Sequence, residues 1–525
     1  MRFETIPNLM AVLSGILLTA AFPKIDLAAL AWAAFVPLLW AVRNAGPREA
    51  FRRGRVFGIA HHLSLLYWLV PTMTVYGHLP LPLAVGILFL FASVLSLVFT
   101  APCIGALALA GPGPARLLVA FPVLWTASEF LRSFLFTGFP WGLLGYSQYR
   151  HLHLIQIADV LGVYGISALV ALAGTALFLI VAALAGWDWQ GQKISRRLAV
   201  GGGAAALALA AAAGGYGGVR IEQIDRLAAE APKIKTAVVQ GNIEQSEKWD
   251  PAFQAATIEK YLKLSLSTQA QAPDIIVWPE SAAPFYFLAE GPPTRAVMQG
   301  VAAAGTNFLI GAPSFGLKGQ KADYYNSAYL VAPGEILGKY DKAHLVPFGE
   351  YTPFKEYLPF LGKIVEHVGD FKAGPEGHTL ALGGRKLGIQ ICYEVIFPEL
   401  ARAQVRNGAG LLITITNDAW YGQTAGPYQH FILAAMRAVE NRRALERAAN
   451  TGISGFVDPV GRVLDATPLE VEAAVVRPLP LMGAESIYSR HGDVFGWACL
   501  GLAILAVARG WRGRRPATSA GTCCG

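Results

Sequence analysis

Three separate segments of the sequence each present a residue that can take part in acyl chemistry. Cys392 closes the apolar run Leu387–Cys392 and is the only cysteine between residues 104 and 498. Glu280 follows a second apolar run, Ile275–Val277, and Lys342 stands in a third segment between these two. A carboxylate, an ammonium and a thiol are a base, a cation and a nucleophile. The sequence therefore contains the parts of a nucleophilic enzyme.

The chemistry of a thiol explains why all three types are needed. An ordinary cysteine is only a few per cent thiolate at neutral pH, so a nucleophilic cysteine needs a base to take its proton. We assign that role to Glu280, which later acts as an acid, and we assign stabilisation of the thiolate and of a developing oxyanion to Lys342. Each residue alone also has a structural interpretation: Cys392 as a small buried hydrophobe, and the other two as an ion pair.

The elements that must position these residues follow from the apolar patterning after residue 233. An alternating apolar run that ends in cysteine is typical of a buried strand with the thiol at its tip. Helical patterns intervene at Pro251–Gln269, Thr294–Ala304 and His430–Ala449. The alternation favours an α/β domain of two stacked sheets flanked by helices. Strands are predicted at 234–239, 275–277, 308–310, 327–331, 387–392, 411–415 and 454–457.

The composition indicates a membrane region beside this domain. The chain is 54% hydrophobic and 15% charged, whereas soluble proteins average about 25% charged residues. Because about 20 apolar residues are needed to cross a bilayer, the apolar runs predict about eight transmembrane helices. The predicted fold is thus a polytopic α-helical membrane domain plus an α/β sandwich. The predicted spans are 8–23, 27–42, 54–71, 82–110, 115–136, 155–186, 198–216 and 494–509.

The net charge of +8 is concentrated in short segments beside the apolar runs. Arginine and lysine crowd residues 43–55, 193–197 and 509–515. Short basic loops mark the cytoplasmic side of a membrane protein, so we do not expect nucleic-acid binding. With both termini in the cytoplasm, every basic loop lies inside and the α/β domain lies outside. The predicted domains are 1–219 (about seven membrane helices), 220–490 (catalytic) and 491–525 (last helix and Arg-rich tail).

Cysteine and histidine usage bears on redox state and cofactors. A single cysteine in 220–490 excludes a disulfide within that domain. The sequence has no Cys/His cluster with the spacing of a zinc site, and we expect neither a metal nor a cofactor. The first apolar run lacks a clear cleavage site and precedes further spans, so we interpret it as a retained helix rather than a secretion signal.

The three motifs together resemble the nitrilase (carbon–nitrogen hydrolase) superfamily, whose catalytic set is Glu-Lys-Cys on an α-β-β-α sandwich. Trp278–Ser281, Lys342–Glu350 and Ile391–Glu394 match its motifs in the right order. Thr416–Gly422 and Arg447–Gly452 match further segments. With seven predicted spans before the domain and one after it, the whole chain resembles the apolipoprotein N-acyltransferase family of that superfamily.

This resemblance implies a reaction and its partners. A fatty acyl chain would pass from a membrane phospholipid to the N-terminal α-amine of a diacylglyceryl-cysteine apolipoprotein. Cys392 would form a thioester with the acyl group, with Glu280 moving the proton and Lys342 stabilising the oxyanion, in a ping-pong mechanism. The resemblance also implies a bacterial inner membrane location with the catalytic domain in the periplasm. We expect a monomer.

Six further residues are expected to support the site. Glu350 is expected to orient Lys342 or stabilise the intermediate, although a surface carboxylate is the alternative. Glu394 is expected to tune the thiol, and Tyr393 to contribute a backbone N–H to the oxyanion pocket. Trp249 is expected on a loop near the site, with core packing as the alternative. Lipid contact is expected of Trp420 and Tyr421, which can equally be interfacial anchors.

Ionisable residues inside the apolar runs are functional candidates by default. Glu129 and Arg132 stand one helical turn apart, and an i,i+3 ion pair accounts for them equally well. His61 and His62 lie within a span and can line a polar cavity. The sequence assigns no role to any of the four.

Two other functions are alternatives: one would use the same three residues, and the other would use none of them. A membrane-tethered amidase or nitrilase would use the same triad with water as acceptor, and a transporter or scaffold would carry a degenerate domain. One span suffices for a tether, whereas eight favour a cavity for lipids. Substrates held in a bilayer are best met by a site fixed at its surface, which reduces the cost of orientation and lets apolar walls exclude water.

Overall fold

The computed structural model describes residues 2–109, 113–246, 248–289, 291–318, 321–353 and 371–512. The predicted tail beyond residue 512, with Cys523 and Cys524, lies outside the described residues. The described chain has an apolar helical region, which includes the last helix, and an α/β domain built on two six-stranded sheets.

Proline and capping residues set the ends of several helices in the apolar region. Pro47 and Pro114 stand at the first positions of their helices, where a missing N–H costs nothing. Ser195 caps a helix by accepting a hydrogen bond from the Leu198 N–H at 3.2 Å. The α-helices are Arg2–Ala20, Leu30–Ala33, Phe35–Val42, Pro47–Leu65, Leu69–Pro71, Leu81–Leu95, Ala101–Leu107, Pro114–Phe134, Leu152–Ile155, Ala158–Ala185, Arg196–Glu230 and Val494–Arg512. Thr72–Tyr76 and Ser96–Thr100 form π-helical turns, Leu144–Gln148 a 3-10 turn, and Asp188–Trp189 with Gln192–Lys193 a small hairpin.

Not all of these helices are long enough to cross a bilayer alone. Among the described residues, four are both long and apolar enough: Leu81–Leu107, Pro114–Phe134, Ala158–Ala185 and Arg196–Glu230. A fifth results if Pro47–Leu65 and Leu69–Tyr76, which meet at 63°, count as one span. Shorter apolar helices lie at Thr5–Ala20, Leu30–Val42 and Val494–Gly510. The apolar helical region is confirmed, and the count of eight crossings stays a prediction.

One helix joins the two regions without a break. Arg196–Glu230 contains 35 residues, which corresponds to about 50 Å at 1.5 Å per residue. It therefore extends well past the predicted span 198–216 and past the predicted domain boundary at 219. Its Ile221 and Ile224 pack with Val460 and Met482 of the α/β domain. The helix thus fixes the domain to the apolar region.

Twelve strands of the described chain form the two large sheets. We label them β1 Lys233–Gln240, β2 Ile275–Val277, β3 Asn307–Lys318, β4 Lys321–Ala332, β5 Glu335–Asp341, β6 Thr379–Leu382, β7 Arg385–Ile391, β8 Ala409–Thr416, β9 Ala444–Ala449, β10 Gly455–Val457, β11 Val463–Ala466 and β12 Ala473–Pro480. The first sheet has the order β12-β1-β2-β3-β4-β5, and the second has the order β11-β10-β9-β8-β7-β6. All seven predicted strands are present.

The two sheets pack face to face and helices cover their outer faces. Ile234 and Val277 of the first sheet share one apolar core with Ile389 and Ile413 of the second. The α-helices of the domain are Pro251–Leu266, Pro292–Ala304, Pro398–Arg406, Gly426–Asn441 and Ile487–His491, with 3-10 turns at Gln269–Gln271, Cys392–Ile396 and Asp418–Tyr421. The predicted α-β-β-α sandwich is confirmed.

The outer layer of the second sheet shares a core with the apolar region. Leu400 and Leu433, from its two covering helices, belong to one buried apolar cluster with Phe35, Phe121 and Trp141 of the apolar region. The α/β domain and the apolar helices therefore share an interior.

Buried ion pairs cross the same junction. Arg442 Nη2 lies 2.9 Å from Asp159 Oδ2, and Arg220 Nε donates to the same carboxylate at 2.7 Å. Arg437 Nη2 donates to the Tyr146 hydroxyl at 2.9 Å. Removing one partner of a buried pair typically costs about 3–5 kcal/mol, because the other charge is left without compensation.

The predicted helix His430–Ala449 is wrong over its second half. The helix ends at Asn441, and Arg442 has a left-handed backbone with φ of 52°. Ala444–Ala449 is strand β9, which pairs in parallel with β8, and all six of its residues are buried. The segment reads Ala-Leu-Glu-Arg-Ala-Ala, and all of these residue types favour helices, so its local composition predicts a helix that tertiary packing overrides.

Candidate active site

The three predicted catalytic residues follow directly on strands of the two sheets. Glu280 lies just after β2, Lys342 just after β5, and Cys392 just after β7. Their exposed fractions are 7%, 1% and 7%, respectively. Lys342 Nζ lies 3.6 Å from Glu280 Oε1, and the charges of both act on the Cys392 thiol. The structure thus brings residues from three distant segments into one buried site.

The carboxylate of Glu280 is held by donors on both oxygens. Oε1 accepts a hydrogen bond from Asn326 Nδ2 at 2.8 Å, and Oε2 accepts one from the Asn417 N–H at 3.0 Å. Lys248 Nζ donates to the backbone carbonyl of Glu280 at 2.9 Å. A carboxylate fixed in this way cannot rotate freely, which suits a base that must meet its proton in one direction.

Glu350 is buried, and Lys342 and Asn326 both contact it. Lys342 Nζ donates to Glu350 Oε1 at 3.0 Å, and Asn326 Nδ2 donates to the same oxygen at 2.8 Å. Burial alone would lower the pKa of Lys342, but the carboxylates of Glu350 and Glu280 outweigh it and raise that pKa. Lys342 is therefore a permanent cation at neutral pH. The alternative of a surface carboxylate does not describe Glu350.

Glu394 ties two of the site's segments together. Its Oε1 accepts hydrogen bonds from the Tyr340 hydroxyl at 2.8 Å and from the Ala343 N–H at 2.6 Å. Its Oε2 accepts one from the Ile391 N–H at 2.6 Å. Burial raises the pKa of Glu394 to about 7, although these hydrogen bonds act to lower it. The carboxylate thus fixes the backbone beside Lys342 to the strand that carries Cys392.

The backbone and the electrostatic environment of Cys392 are both unusual. Its φ is 54°, in the left-handed region that non-glycine residues rarely adopt, and the residue opens the 3-10 turn Cys392–Ile396. Burial, and then the negative charge of Glu280, raise the pKa of the thiol, while Lys342 opposes them. The resting cysteine is therefore a thiol, so a base must remove its proton during attack.

The four predicted aromatic residues lie on or beside segments that contact this centre, next to Lys248, Cys392 and Asn417. Trp249 is 48% exposed on the loop that follows Lys248, so it is not a core residue. Tyr393 is buried and packs edge-on against Phe397 at 5.2 Å between ring centroids. The other two, Trp420 and Tyr421, contact helices of the apolar region.

Contacts with the bent helical segment near residue 72 position Trp420 and Tyr421. The Trp420 ring packs edge-on against Tyr76 at 5.2 Å, and the Tyr421 ring packs edge-on against Trp68 at 4.7 Å. The Thr72 hydroxyl donates to the Trp420 carbonyl at 2.7 Å. Residues of the apolar helices therefore form part of the surroundings of the site.

Asn326 and Lys248 belong to the site but were not predicted. Asn326 bridges two carboxylates that lie 46 and 24 residues away in sequence. Burial lowers the pKa of Lys248 to about 8, against the charges of Glu280 and Cys392. A single asparagine within strand β4 and a single lysine in a polar loop have no distinguishing local pattern, so only the fold reveals them.

The ionisable residues of the membrane region have hydrogen-bond partners of their own. Glu129 accepts a hydrogen bond from the Leu144 N–H at 2.7 Å, and Arg132 Nη1 donates to the Trp141 carbonyl at 3.0 Å. His61 Nδ1 lies 2.9 Å from Thr19 Oγ1. The contacts of Glu129 and Arg132 hold the loop that carries Trp141 against the helices.

Comparison with known proteins finds similarity along nearly the whole chain. Residues 14–176 match the family described as "Apolipoprotein N-acyltransferase N-terminal domain", and residues 235–486 match "Carbon-nitrogen hydrolase". A curated protein named apolipoprotein N-acyltransferase from Geobacter metallireducens is 44% identical over 519 residues, which are 97% of each chain. Proteins of the same name from Allorhizobium ampelinum and Methylococcus capsulatus are 35% and 33% identical, over 95% and 94% of this chain and 94% of each relative.

Proposed function

The chain belongs to the apolipoprotein N-acyltransferase family and is thus an acyltransferase, and we propose that it moves a fatty acyl chain from a membrane phospholipid to the N-terminal α-amine of diacylglyceryl-cysteine apolipoproteins. The acyl group is carried on Cys392 as a thioester between two half-reactions. Lipoprotein N-acylation agrees with the names of the relatives.

In the first half-reaction Cys392 Sγ attacks the carbonyl carbon of the phospholipid ester. Glu280 takes the thiol proton as the S–C bond forms, which is required because the resting cysteine is protonated. Lys342 stabilises the oxyanion of the tetrahedral intermediate. The C–O bond then breaks, Glu280 returns the proton to the departing oxygen, and a lysophospholipid leaves.

In the second half-reaction the neutral α-amine of the apolipoprotein attacks the thioester carbonyl. Glu280 accepts a proton from the attacking nitrogen, and Lys342 again faces the oxyanion. The C–S bond breaks, the thiolate of Cys392 regains the proton from Glu280, and the amide product leaves. No net proton is gained or lost over the two half-reactions.

One observation favours acyl transfer over the tethered-hydrolase alternative. The outer layer of the catalytic sandwich shares its core with the apolar helices, and Tyr76 and Trp68 of those helices contact the loop beside the site. A tether would need no such contact. Lipid substrates do need it, because a site held at the bilayer surface meets them in a fixed orientation and can exclude water from a thioester.

Intact mass spectrometry tests the reaction. The purified protein is incubated with a defined phospholipid, first alone and then with a diacylated lipopeptide. We expect an acyl adduct on Cys392 that persists alone and moves to the peptide amine. An adduct that decays to free fatty acid whether or not peptide is present would favour the hydrolase, and the absence of an adduct would exclude this phospholipid as donor.

We further propose a monomeric enzyme in a bacterial inner membrane, with the catalytic domain in the periplasm and both termini in the cytoplasm. The basic segments at residues 43–55 and 193–197 support this orientation, because short basic loops stay on the cytoplasmic side. The proposed orientation makes a prediction about which exposed residues a membrane-impermeant reagent can reach.

Two single-cysteine variants in a cysteine-free background test that orientation. Glu259→Cys is exposed on the catalytic domain, and Arg197→Cys is exposed at the start of the joining helix. A membrane-impermeant maleimide applied to intact spheroplasts should label the first and spare the second, and permeabilised cells should show labelling of both. Labelling of Arg197→Cys alone in intact spheroplasts would reverse the orientation.

A further inference from the structure

Beneath the nucleophile lies a buried histidine that no motif singled out. His430 is fully buried on the helix Gly426–Asn441, and its Nε2 lies 3.2 Å from the carbonyl oxygen of Cys392. A carbonyl oxygen can only accept a hydrogen bond, so Nε2 carries a proton and donates it to this contact. The histidine thus contacts the backbone of the nucleophile and not its sulfur.

Charged groups hold the other side of the ring. Nδ1 lies 2.9 Å from Arg447 Nη2 and 3.0 Å from Asp418 Oδ1, and Arg447 Nη2 also donates to Asp418 Oδ2 at 2.8 Å. Burial lowers the pKa of His430, the positive charge of Arg447 lowers it further, and the negative charge of Asp418 opposes both effects. A guanidinium can only donate, so Nδ1 accepts from Arg447 and the proton of the ring is on Nε2. The tautomer needed to reach Cys392 is fixed.

The apolar helices hold the same ring and the helix that carries it. Trp141 stacks on His430 with ring centroids 5.4 Å apart and an angle of 23°. The preceding residue, Gln429, accepts hydrogen bonds from Trp68 Nε1 at 3.1 Å and Trp141 Nε1 at 2.8 Å. Its Nε2 donates to the Pro23 carbonyl at 3.0 Å. Neighbouring residues of one helix thus contact the apolar region and the nucleophile.

The geometry of the peptide group gives this contact a consequence. In a trans peptide the C=O and N–H point in opposite directions within one plane. The carbonyl of Cys392 and the N–H of Tyr393 belong to the same peptide group. A donor that fixes the carbonyl therefore also fixes the direction of the Tyr393 N–H. The left-handed backbone of Cys392 makes such a restraint useful, since that conformation is not the one the residue prefers.

We propose that His430 is a positioning residue of the transferase, which holds the Cys392–Tyr393 peptide so that the thiol and the Tyr393 N–H both face the acyl carbonyl. This inference rests on the proposed thioester function of Cys392. Arg447, which Asp418 holds, donates to Nδ1 and thereby keeps the proton of the ring on Nε2. Trp141 and Gln429 let the apolar helices set the position of the ring.

Two substitutions at His430 separate positioning from packing. His430→Phe keeps a ring of similar size but has no donor, whereas His430→Gln places an amide N–H near the position of Nε2. At saturating phospholipid we expect His430→Phe to slow acylation of Cys392 by about 10²-fold, as small displacements of reacting groups do. His430→Gln should recover most of that loss, and the phospholipid concentration for half-maximal rate should change little in either variant.

A matched control and a second reagent make the outcome decisive. Thr414→Val removes a buried hydroxyl, which has no hydrogen-bond partner among the described residues, from the neighbouring strand β8 and should acylate at the wild-type rate. Iodoacetamide, followed by peptide mapping of Cys392, reports the thiol without any phospholipid, and it should show the same order of rates. Wild-type rates in His430→Phe, or equal losses in the Phe and Gln variants that track a lower Tm, would overturn the inference. A wild-type protein that alkylates normally but never acylates would instead overturn the proposed function.

Discussion

Replacing Cys392 by alanine is expected to abolish acyl transfer, with a loss of at least ~10⁴-fold, because no other group at the site can form the thioester. Cys392→Ser should fail nearly as completely, since a hydroxyl is a much weaker acid than a thiol and a carboxylate base deprotonates it far less readily. Both proteins should remain folded, because either side chain fits a site sized for a thiol. Mass spectrometry of the acyl adduct and transfer to a lipopeptide measure the effect.

Other buried cysteines of the chain provide the matched control for these variants. Cys103 and Cys499 lie buried in the apolar helices, and Cys103→Ala or Cys499→Ala should leave the transfer rate within a few-fold of wild type. Tm and membrane insertion should match across the set. Normal turnover by Cys392→Ala or Cys392→Ser would remove this residue as the nucleophile.

The second large effect is expected from Glu280→Gln, which keeps the shape of the side chain and removes the base. The amide oxygen can still accept from one of the two donors, Asn326 Nδ2 or the Asn417 N–H, while the amide NH2 faces the other, so Tm is measured beside the rate. Loss of general-base catalysis typically costs about 10²–10⁴-fold. We expect acylation of Cys392 to slow by that amount, measured as the rate of adduct formation.

The pH dependence of the acylation rate in Glu280→Gln tests directly whether Glu280 is the base. Burial and Glu280 raise the pKa of the thiol in the wild type. Removing the negative charge lowers that pKa, but the variant then relies on the small fraction of thiolate already present. Its acylation rate should rise about tenfold per pH unit while pH stays below the thiol pKa. The matched control is Glu259→Gln, at an exposed position of the same domain. A wild-type rate in Glu280→Gln would contradict the assignment of Glu280 as base.

The parts of the site that could be predicted are those with a local sequence signal. Glu280 and Cys392 each follow or close an apolar run, and both runs are strands in the structure. The apolar pattern alone was therefore enough to place these two side chains at strand ends. The segment around Lys342 was identified by its motif, and β5 before it was not predicted.

The parts that could not be predicted depend on contacts between distant segments. Asn326 acquires its role from two carboxylates, and His430 from a carbonyl 38 residues earlier in the chain. Neither residue lies in a pattern that distinguishes it from an ordinary polar side chain. The error at 444–449 has a similar origin, since burial on both faces of β9 is decided by packing and not by local periodicity.

The interior shared by the sandwich and the apolar helices changes how the enzyme meets its substrates. Because the site cannot move away from the bilayer, the proposed donor and acceptor are encountered by diffusion in a plane. The quantity that sets the rate is then the number of molecules per unit area of membrane, not their bulk molarity. Diluting a micelle or vesicle suspension in buffer would leave that number unchanged, whereas adding inert lipid would lower it.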